Sequence, residues 1–163
     1  MRERITVRVL LFDPAGRILL MKGRLATGRD QPGAWFTVGG GAEPGETLET
    51  CALREIAEET GFTAIELGPP VWRREGLGAL HDGEPVVFKE TYFVARCAGE
   101  EPVRDGWADY EHDLVDDIRW WSLEDLAACE EAIYPERMLD LLPDLIAGVY
   151  PEIPIEITVS RGR

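Results

Sequence analysis

The stretch GGGAEPGETLETCALREIAEETGF, residues 39–62, joins a glycine-rich turn to a predicted helix that carries three glutamates in its last two turns. Glu55, Glu58 and Glu59 stand where acids are disfavoured, because the C-terminal end of a helix already bears partial negative charge. Glu55 and Glu59 also form a like-charged i,i+4 pair, which costs roughly 0.2–0.5 kcal/mol. A bound cation would offset both costs, so the arrangement indicates a ligand.

The three acids share one side of the predicted helix. They fall within an arc of about 100°, whereas Leu53 and Ala57 fall on the opposite side. We therefore expect the helix to pack its apolar side on a sheet and to point its acids into an open space. The alternative is a plain solvated face, but such a face usually interleaves lysines, and none lies between Lys22 and Lys89. Oxygen ligands of this kind suit Mg²⁺ or Mn²⁺.

The glycines before the helix favour the same interpretation. Gly39, Gly40 and Gly41 allow the backbone to approach a ligand closely, and carbonyl and N–H groups exposed there can bind a metal or a phosphate. Alone this is a weak signal, because glycine-rich loops are common. The loop is not a Walker loop, since no Gly-Lys-Ser/Thr follows it.

Together these residues resemble the Nudix box, G-x5-E-x7-R-E-U-x-E-E-x-G-U, in which U is a bulky apolar residue. Every specified position is matched, by Gly40, Glu46, Arg54, Glu55, Ile56, Glu58, Glu59, Gly61 and Phe62. The resemblance implies an α/β fold, a Nudix-type α/β/α sandwich with a mixed central β-sheet. It also implies hydrolysis of a pyrophosphate bond in a nucleoside diphosphate linked to another group X, with Mg²⁺ or Mn²⁺ as cofactor.

The resemblance also implies a role for each position of the box. The metal ligands would be the backbone carbonyl of Gly39 and the carboxylates of Glu55, Glu58 and Glu59. Glu55 would also, or instead, serve as the general base. Arg54 and Glu46 would hold the glutamates in place. The chain departs from the usual pattern just before the glycines, where Thr37-Val38 replaces the common Leu-Pro.

A late loop supplies a further candidate for catalysis. Family members often contribute one more carboxylate from such a loop, and here Glu111 in DYEHD is the best placed. Asp109 and Asp113 are weaker choices. The alternative is that Glu111 is an ordinary surface acid.

Several basic or glycine residues are candidates for binding the substrate. Arg24 and Arg29 precede the glycines and would hold a phosphate or the X group, unless they are solvated loop residues. Gly40 would contribute its backbone. Arg73 and Arg74 are consecutive, so on a strand only one of them can face the cleft, and Arg73 is our prediction.

Subfamily markers after the box are missing, so the sequence does not identify the substrate. Leu77 stands near the position where ADP-ribose hydrolases tend to carry Pro, and Ala79 near the position where dinucleoside polyphosphate hydrolases carry Tyr. A non-catalytic nucleotide-binding sensor is the alternative function. The intact glutamates count against it, because a domain freed from catalysis has no physical reason to keep a self-repelling cluster.

Composition limits the partners. The chain has 163 residues and a formal net charge of -14, which argues against broad binding to nucleic acid. Its apolar runs are too short to span a bilayer, and MRERITVRVL lacks a secretory signal. We therefore expect a cytoplasmic protein, a monomer or homodimer, with a small-molecule substrate and no nucleic-acid or membrane partner. The three cysteines are expected to be free and at least half-buried.

Hydrophobic patterning predicts the remaining elements. Alternating runs predict strands at RITVRVLLFD, RILLMKG, AWFTV, TAIELGPPVWRREGL, VVFKETYFVARC and DIRWWS. The helix after the glycines is predicted from about Thr47 to Thr60, with Gly61 as its left-handed terminal residue. Ser122 is the predicted N-cap of a second helix.

The end of the chain is expected to hold a last helix and a tail. PERMLDLLPDLIAG reads as that helix, and Pro143 interrupts it. Residues 1–150 are predicted to form one domain. Residues 151–163 are predicted to form an extended tail, either a covering strand or a dimer contact.

Overall fold

Alternating apolar residues place β-strands at the centre of the protein. We describe a computed structural model over residues 2–23, 33–80, 82–104 and 115–158, with residue 116 described only in its backbone. The strands are β1 Arg2–Phe12, β2 Ile18–Gly23, β3 Ala34–Gly41, β4 Glu66–Ala79, β5 Pro85–Arg96, β6 Val115–Trp121, β7 Ala132–Ile133 and β8 Ile155–Glu156. The helices are α1 Leu48–Thr60, α2 Leu123–Ala128 and α3 Met138–Ile146.

The described strands form one mixed sheet in the order β6-β2-β3-β1-β5-β4-β8, and β7 pairs with β3. The first two predicted strands are confirmed and pair as an antiparallel hairpin. β1 lies antiparallel to β3 and parallel to β5 along its whole length. The glycine end of β3 therefore lies beside β1, with Arg8 opposite Gly39 and Thr6 opposite Gly41.

Helices cover both faces of this sheet. Strand alternation sends apolar side chains to both faces. On one face Phe93 and its neighbours pack against Ile56 of α1. On the other face, Leu126 of α2 and Leu142 of α3 pack against a second apolar cluster. The predicted α/β/α arrangement is confirmed.

Helix α1 has the bounds that the sequence predicts. Thr47 is its N-cap, and its side chain accepts a hydrogen bond from the N–H of Thr50. Gly61 ends it with a left-handed φ of 81°, and its N–H donates to the carbonyl of Ala57. The expectation for Gly61 is confirmed, and the N-cap at Thr47 agrees with the predicted start of the helix.

The predicted orientation of α1 is wrong. Leu53, expected on the packed side, is 42% exposed, whereas Glu55 and Glu59 are buried. The packed stripe consists of Ala52 and Ile56, and the two glutamates lie beside it. The reason is the glycine end of β3, which has no side chains and leaves room for carboxylates against the strand. Glu55 and Glu59 therefore face the sheet, whereas the side chain of Glu58 is half-exposed.

The C-terminal elements complete the second face. Ser122 and Asp125 form a reciprocal capping box at the start of α2, which confirms the predicted N-cap. Helix α2 ends at Ala128, because the backbone is already extended at Cys129. Pro143 lies inside α3.

The predicted tail contributes a strand to the sheet. Ile155 and Glu156 pair in parallel with Trp72 and Arg73 of β4, and Ile157 is buried. This is one of the two roles expected for the tail, while the division between residues 1–150 and 151–163 stays a prediction.

Two expectations from composition can be compared with the structure. Cys51 is buried, Cys97 and Cys129 are partly buried, and all three are free, as predicted. No helix in the described ranges is long and apolar enough to cross a membrane.

Candidate active site

The glycines of β3 and the acids of α1 are in direct contact. The carboxylate of Glu55 lies so close to Gly40 that a Cβ on this glycine would overlap it. Glu59 Oε1 accepts a 2.8 Å hydrogen bond from the backbone N–H of Gly39. Both carboxylates are buried, with exposed fractions of 9% and 5%. Two negative charges are thus held against the glycine end of β3, which lacks side chains.

The backbone conformation of Gly39 also leaves no room for a Cβ. Its φ is 150°, and a Cβ there would overlap the carbonyl oxygen of Val7 on β1. The close pairing of β3 with β1 at this point therefore depends on glycine.

Arg54 connects the loop before α1 to the glutamates on it. Its Nε and Nη2 donate to the two carboxylate oxygens of Glu46 at 2.7 and 2.8 Å, a bidentate pair. Nη2 also donates to the carbonyl of Gly41 at 3.1 Å. Nη1 donates to Glu55 at 3.1 Å and to Glu58 at 3.3 Å. One guanidinium therefore holds the loop, the strand and two of the predicted metal ligands.

The pairing of Arg54 with Glu46 stabilises both charges. Hydrogen bonds from Arg54, and then from the N–H of Glu43, lower the pKa of Glu46 to about 2. The hydrogen bond with Glu46 in turn raises the pKa of Arg54, with Glu55 and Glu58 adding to it. Arg54 thus contacts Glu46, Glu55 and Glu58, while the supporting role of Arg54 and Glu46 stays a prediction.

The donor set suits a hard divalent cation in its chemistry, because every candidate ligand is an oxygen and the carboxylates are negatively charged. The three glutamates do not converge on one point. The side chain of Glu58 is 44% exposed and pairs with Arg54, whereas Glu59 bonds to Gly39. In the described part of the chain, no group of three or more His, Cys, Asp or Glu residues is arranged to hold a metal. The metal-ligand assignment stays a prediction.

A second charged cluster lies on β1, β4 and β5 and was missed by sequence reasoning. Glu90, 9% exposed, accepts hydrogen bonds from Arg8 Nε at 3.1 Å and from Arg74 Nη1 at 3.0 Å. Arg8 also donates to the carbonyl of Thr37 at 3.3 Å. Burial by itself would lower the pKa of Arg8. The negative charge of Glu90 above all, and also that of Glu59, raises this pKa instead. The available signal was a glutamate inside the otherwise apolar strand β5.

The remaining predicted residues are not brought to these clusters by the described structure. Arg73 is exposed, and strand alternation places it on the face of β4 opposite Arg74. Its backbone carbonyl accepts a hydrogen bond from the N–H of Ile157. The other predicted site residues lie outside the described ranges: Arg24, Arg29, Asp109, Glu111 and Asp113.

Comparison with known proteins gives the context of this site. The NUDIX domain profile matches residues 2–145, most of the chain. The RNA pyrophosphohydrolase of Caulobacter vibrioides is 36% identical over 136 residues, which cover 76% of this chain and 74% of that protein. This chain belongs to the Nudix family.

Other proteins resemble this Nudix chain over most of its length. The nucleoside triphosphatase NudI of Klebsiella pneumoniae is 33% identical over 130 residues, 77% of this chain and 86% of that protein. The E. coli dihydroneopterin triphosphate pyrophosphohydrolase has a similar structure, with a TM-score of 0.65, 17% identity, and coverage of 91% of this chain and 99% of that one. At that identity the structural likeness shows the fold alone.

These relatives confirm the expected class of reaction. The Nudix chain is a pyrophosphohydrolase, an enzyme that acts on phosphoric anhydride bonds in nucleotide derivatives. Members of the family generally require a divalent metal ion.

Proposed function

We propose that this protein hydrolyses the pyrophosphate bond of a small nucleoside diphosphate derivative, with Mg²⁺ or Mn²⁺ held by the glutamates of α1. The observation that carries the proposal is the position of Glu55 and Glu59, both buried against Gly39 and Gly40. Like charges brought together in a buried place are unfavourable in the absence of a cation. Arg54 supplies one positive charge, and it is shared among Glu46, Glu55 and Glu58. A bound cation would reduce the repulsion that remains between the carboxylates.

Each residue of the box has a part in the proposed reaction. The oxygen ligands would be the carbonyl of Gly39 and the carboxylates of Glu55, Glu58 and Glu59. A divalent cation, when bound, screens the charge of the diphosphate and makes water more acidic. Glu55 is the proposed base, which takes the proton from the attacking water. Its position is fixed by the 3.1 Å hydrogen bond from Arg54, which Glu46 in turn holds. Glu111 is proposed as an additional carboxylate.

The 5′ end of an RNA is a second candidate substrate. The similarity to an RNA pyrophosphohydrolase over three quarters of the chain favours it. A chain with a net charge of -14 is poorly suited to long contacts with an RNA backbone. Recognition would then be limited to the terminal phosphates and the first nucleotides. Turnover of a 5′-triphosphorylated RNA would contradict the expectation that the protein has no nucleic-acid partner.

The test is a substrate panel with Mg²⁺ and then Mn²⁺. It contains nucleoside triphosphates, ADP-ribose, nucleotide sugars, dinucleoside polyphosphates, CoA and a short 5′-triphosphorylated RNA, with products identified by mass spectrometry. Turnover that disappears in Glu59→Gln but persists in Glu49→Gln supports the proposal, because Glu49 is an exposed acid of the same helix. Nucleotide binding without turnover on any substrate would favour the sensor.

Two further expectations belong to this proposal, a monomer or homodimer and a cytoplasmic location. Light scattering would distinguish the monomer from the homodimer, and cell fractionation would check the cytoplasmic location.

A further inference from the structure

The face of the sheet opposite α1 carries a row of polar side chains on β1. Alternation places Arg4, Thr6 and Arg8 on this face, in register with the glycine end of β3, since Thr6 lies opposite Gly41 and Arg8 opposite Gly39. The guanidinium of Arg4 lies over Gly41, where a Cβ would overlap it. The same glycine strand is thus covered by carboxylates on one face and by arginines on the other.

These arginines are only partly neutralised. Glu90 pairs with Arg8 and Arg74 at 3.1 and 3.0 Å, so one carboxylate faces two guanidinium groups. Arg4 forms no hydrogen bond or ion pair with any residue in the described ranges, although it is half-buried. Three guanidinium groups share one directly paired carboxylate, and the charge of Glu59 acts on Arg8 in addition, so positive charge is in local excess in a chain whose net charge is -14. An anion is the ligand that such a cluster attracts.

Thr6 gives an independent indication of a ligand. It is 4% exposed, and its Oγ1 is one of two buried side-chain polar atoms in the described residues that have no hydrogen-bond partner. Leaving a buried hydroxyl unpaired is unfavourable. This hydroxyl lies on β1 between Arg4 and Arg8, where an oxygen acceptor would satisfy it.

We propose that Arg4 and Arg8 of β1 and Arg74 of β4 form an anion subsite on the face of the sheet opposite α1. The ligand of this subsite is a phosphoryl group of the substrate. Glu90 is a positioning residue, which holds Arg8 and Arg74 at this place and does not itself contact the phosphate. The inference rests on the proposed function, because it takes the anion to be part of the diphosphate substrate.

Binding of methylenediphosphonate, a pyrophosphate analogue that is not hydrolysed, tests the subsite by calorimetry with and without Mg²⁺. A charged hydrogen bond to phosphate corresponds to about tenfold to a hundredfold in affinity. We expect Arg4→Gln and Arg8→Gln each to weaken binding by that factor. Arg137→Gln is the control, because Arg137 is an exposed arginine before α3 with no part in the proposed site, and it should change affinity by less than about twofold. Equal affinities for all of these variants would overturn the subsite.

The Glu90→Gln variant tests whether Glu90 positions Arg8 and Arg74 or only cancels their positive charge. If Glu90 only cancels charge, its replacement leaves a more positive cluster, and the analogue binds more tightly. If Glu90 positions the arginines, binding weakens several-fold, and Arg8→Lys, which keeps the charge but loses the planar fork, is also weakened. Tighter binding by Glu90→Gln would overturn the positioning role. Circular dichroism and melting temperature identify any variant that fails to fold.

Thr6→Val gives a test that does not depend on charge. Because the hydroxyl has no partner in the described structure, the isosteric change should leave the melting temperature equal or higher, while analogue binding falls several-fold. Unchanged binding would remove Thr6 from the subsite.

The hydrolase proposal and the anion subsite can be rejected independently of each other. Absence of turnover on every substrate, with arginine-dependent binding of the analogue intact, would reject the hydrolase proposal and keep the anion subsite. Normal turnover and unchanged KM in the Arg4 and Arg8 variants would reject the subsite alone.

Discussion

Glu59 and Gly39 are joined by a 2.8 Å hydrogen bond from the glycine N–H to the buried carboxylate, across 20 positions of the chain. This bond fixes the last turn of α1 against the end of β3. It also explains how an acid is retained at the negative end of a helix. The N–H of an extended strand supplies the donor that the helix itself does not offer there.

Glu59→Gln should abolish most activity and leave the fold intact. The amide oxygen can still accept the hydrogen bond from Gly39, so the position of the side chain is kept while its charge is lost. We expect kcat/KM to fall by more than about 100-fold, the upper end of the effect for residues that only orient metal ligands. Steady-state kinetics with melting temperature as the control measures this. Full activity in the variant would contradict the assignment of Glu59 to the metal.

Gly40→Ala should disturb Glu55 and lower activity, because the added Cβ would overlap the carboxylate. Stability should fall by about 1–3 kcal/mol, as for other overpacked positions. Gly148→Ala is a useful comparison, since Gly148 has a φ of 83° and nothing within 4 Å of its would-be Cβ. That variant should lose stability through backbone strain alone and keep full activity. Chemical denaturation and kinetics on both variants would show the difference, and normal kcat in Gly40→Ala would argue against Glu55 as the base.

The ion pair of Arg54 with Glu46 should stabilise the protein in a defined range of pH. The pKa of Glu46 falls from 4.5 to about 2 on folding. A lowered carboxylate pKa contributes stability that is present above pH 4.5 and is lost as the pH falls toward 2. Glu46→Gln should therefore be less stable than the native protein at pH 6, and the difference should shrink between pH 4.5 and pH 3. Urea unfolding of both proteins across this range checks it; a difference that is constant with pH would contradict the pairing.

Cys51 should react slowly with alkylating reagents in the folded protein. Burial, with the charges of Glu46 and Glu55 adding to it, raises the pKa of this thiol to about 12. The reactive thiolate is therefore scarce at pH 8. Mass spectrometry after iodoacetamide treatment should show Cys51 unmodified in the native state and modified in urea. Rapid native-state labelling of Cys51 would indicate that α1 opens away from β3.

Several features of the fold could be predicted from local sequence. The ends of α1 follow from a side-chain cap at Thr47 and a left-handed glycine at Gly61. Each of these bonds to a backbone group no more than four residues away, at Thr50 and Ala57 respectively. The strands follow from alternation, and the pairing of β1 with β2 follows from the short turn between them. The box residues fall in one cluster because most of them lie on one helix and the loop before it.

Other features could not be predicted, because they depend on distant strands. Periodicity alone placed Leu53 on the packed side of α1, but the glycines of β3 admit Glu55 and Glu59 there. The Arg8–Glu90–Arg74 cluster forms only when β1 pairs in parallel with β5 and β5 pairs with β4. A one-residue change of register would turn these side chains to the other face, so spacing along the chain cannot reveal them.

The position of α1, its terminal glycine and the residue types of the site can be predicted from the sequence alone. They depend on local backbone preferences and on a motif of fixed spacing. The tertiary structure decided which faces those residues occupy. Burial of Glu55 against Gly40, and the placement of Arg4 on the far side of the same strand, result from sheet register and the missing Cβ atoms of glycine. Close approach of backbone to charged side chains is a property of packing, which no single segment contains.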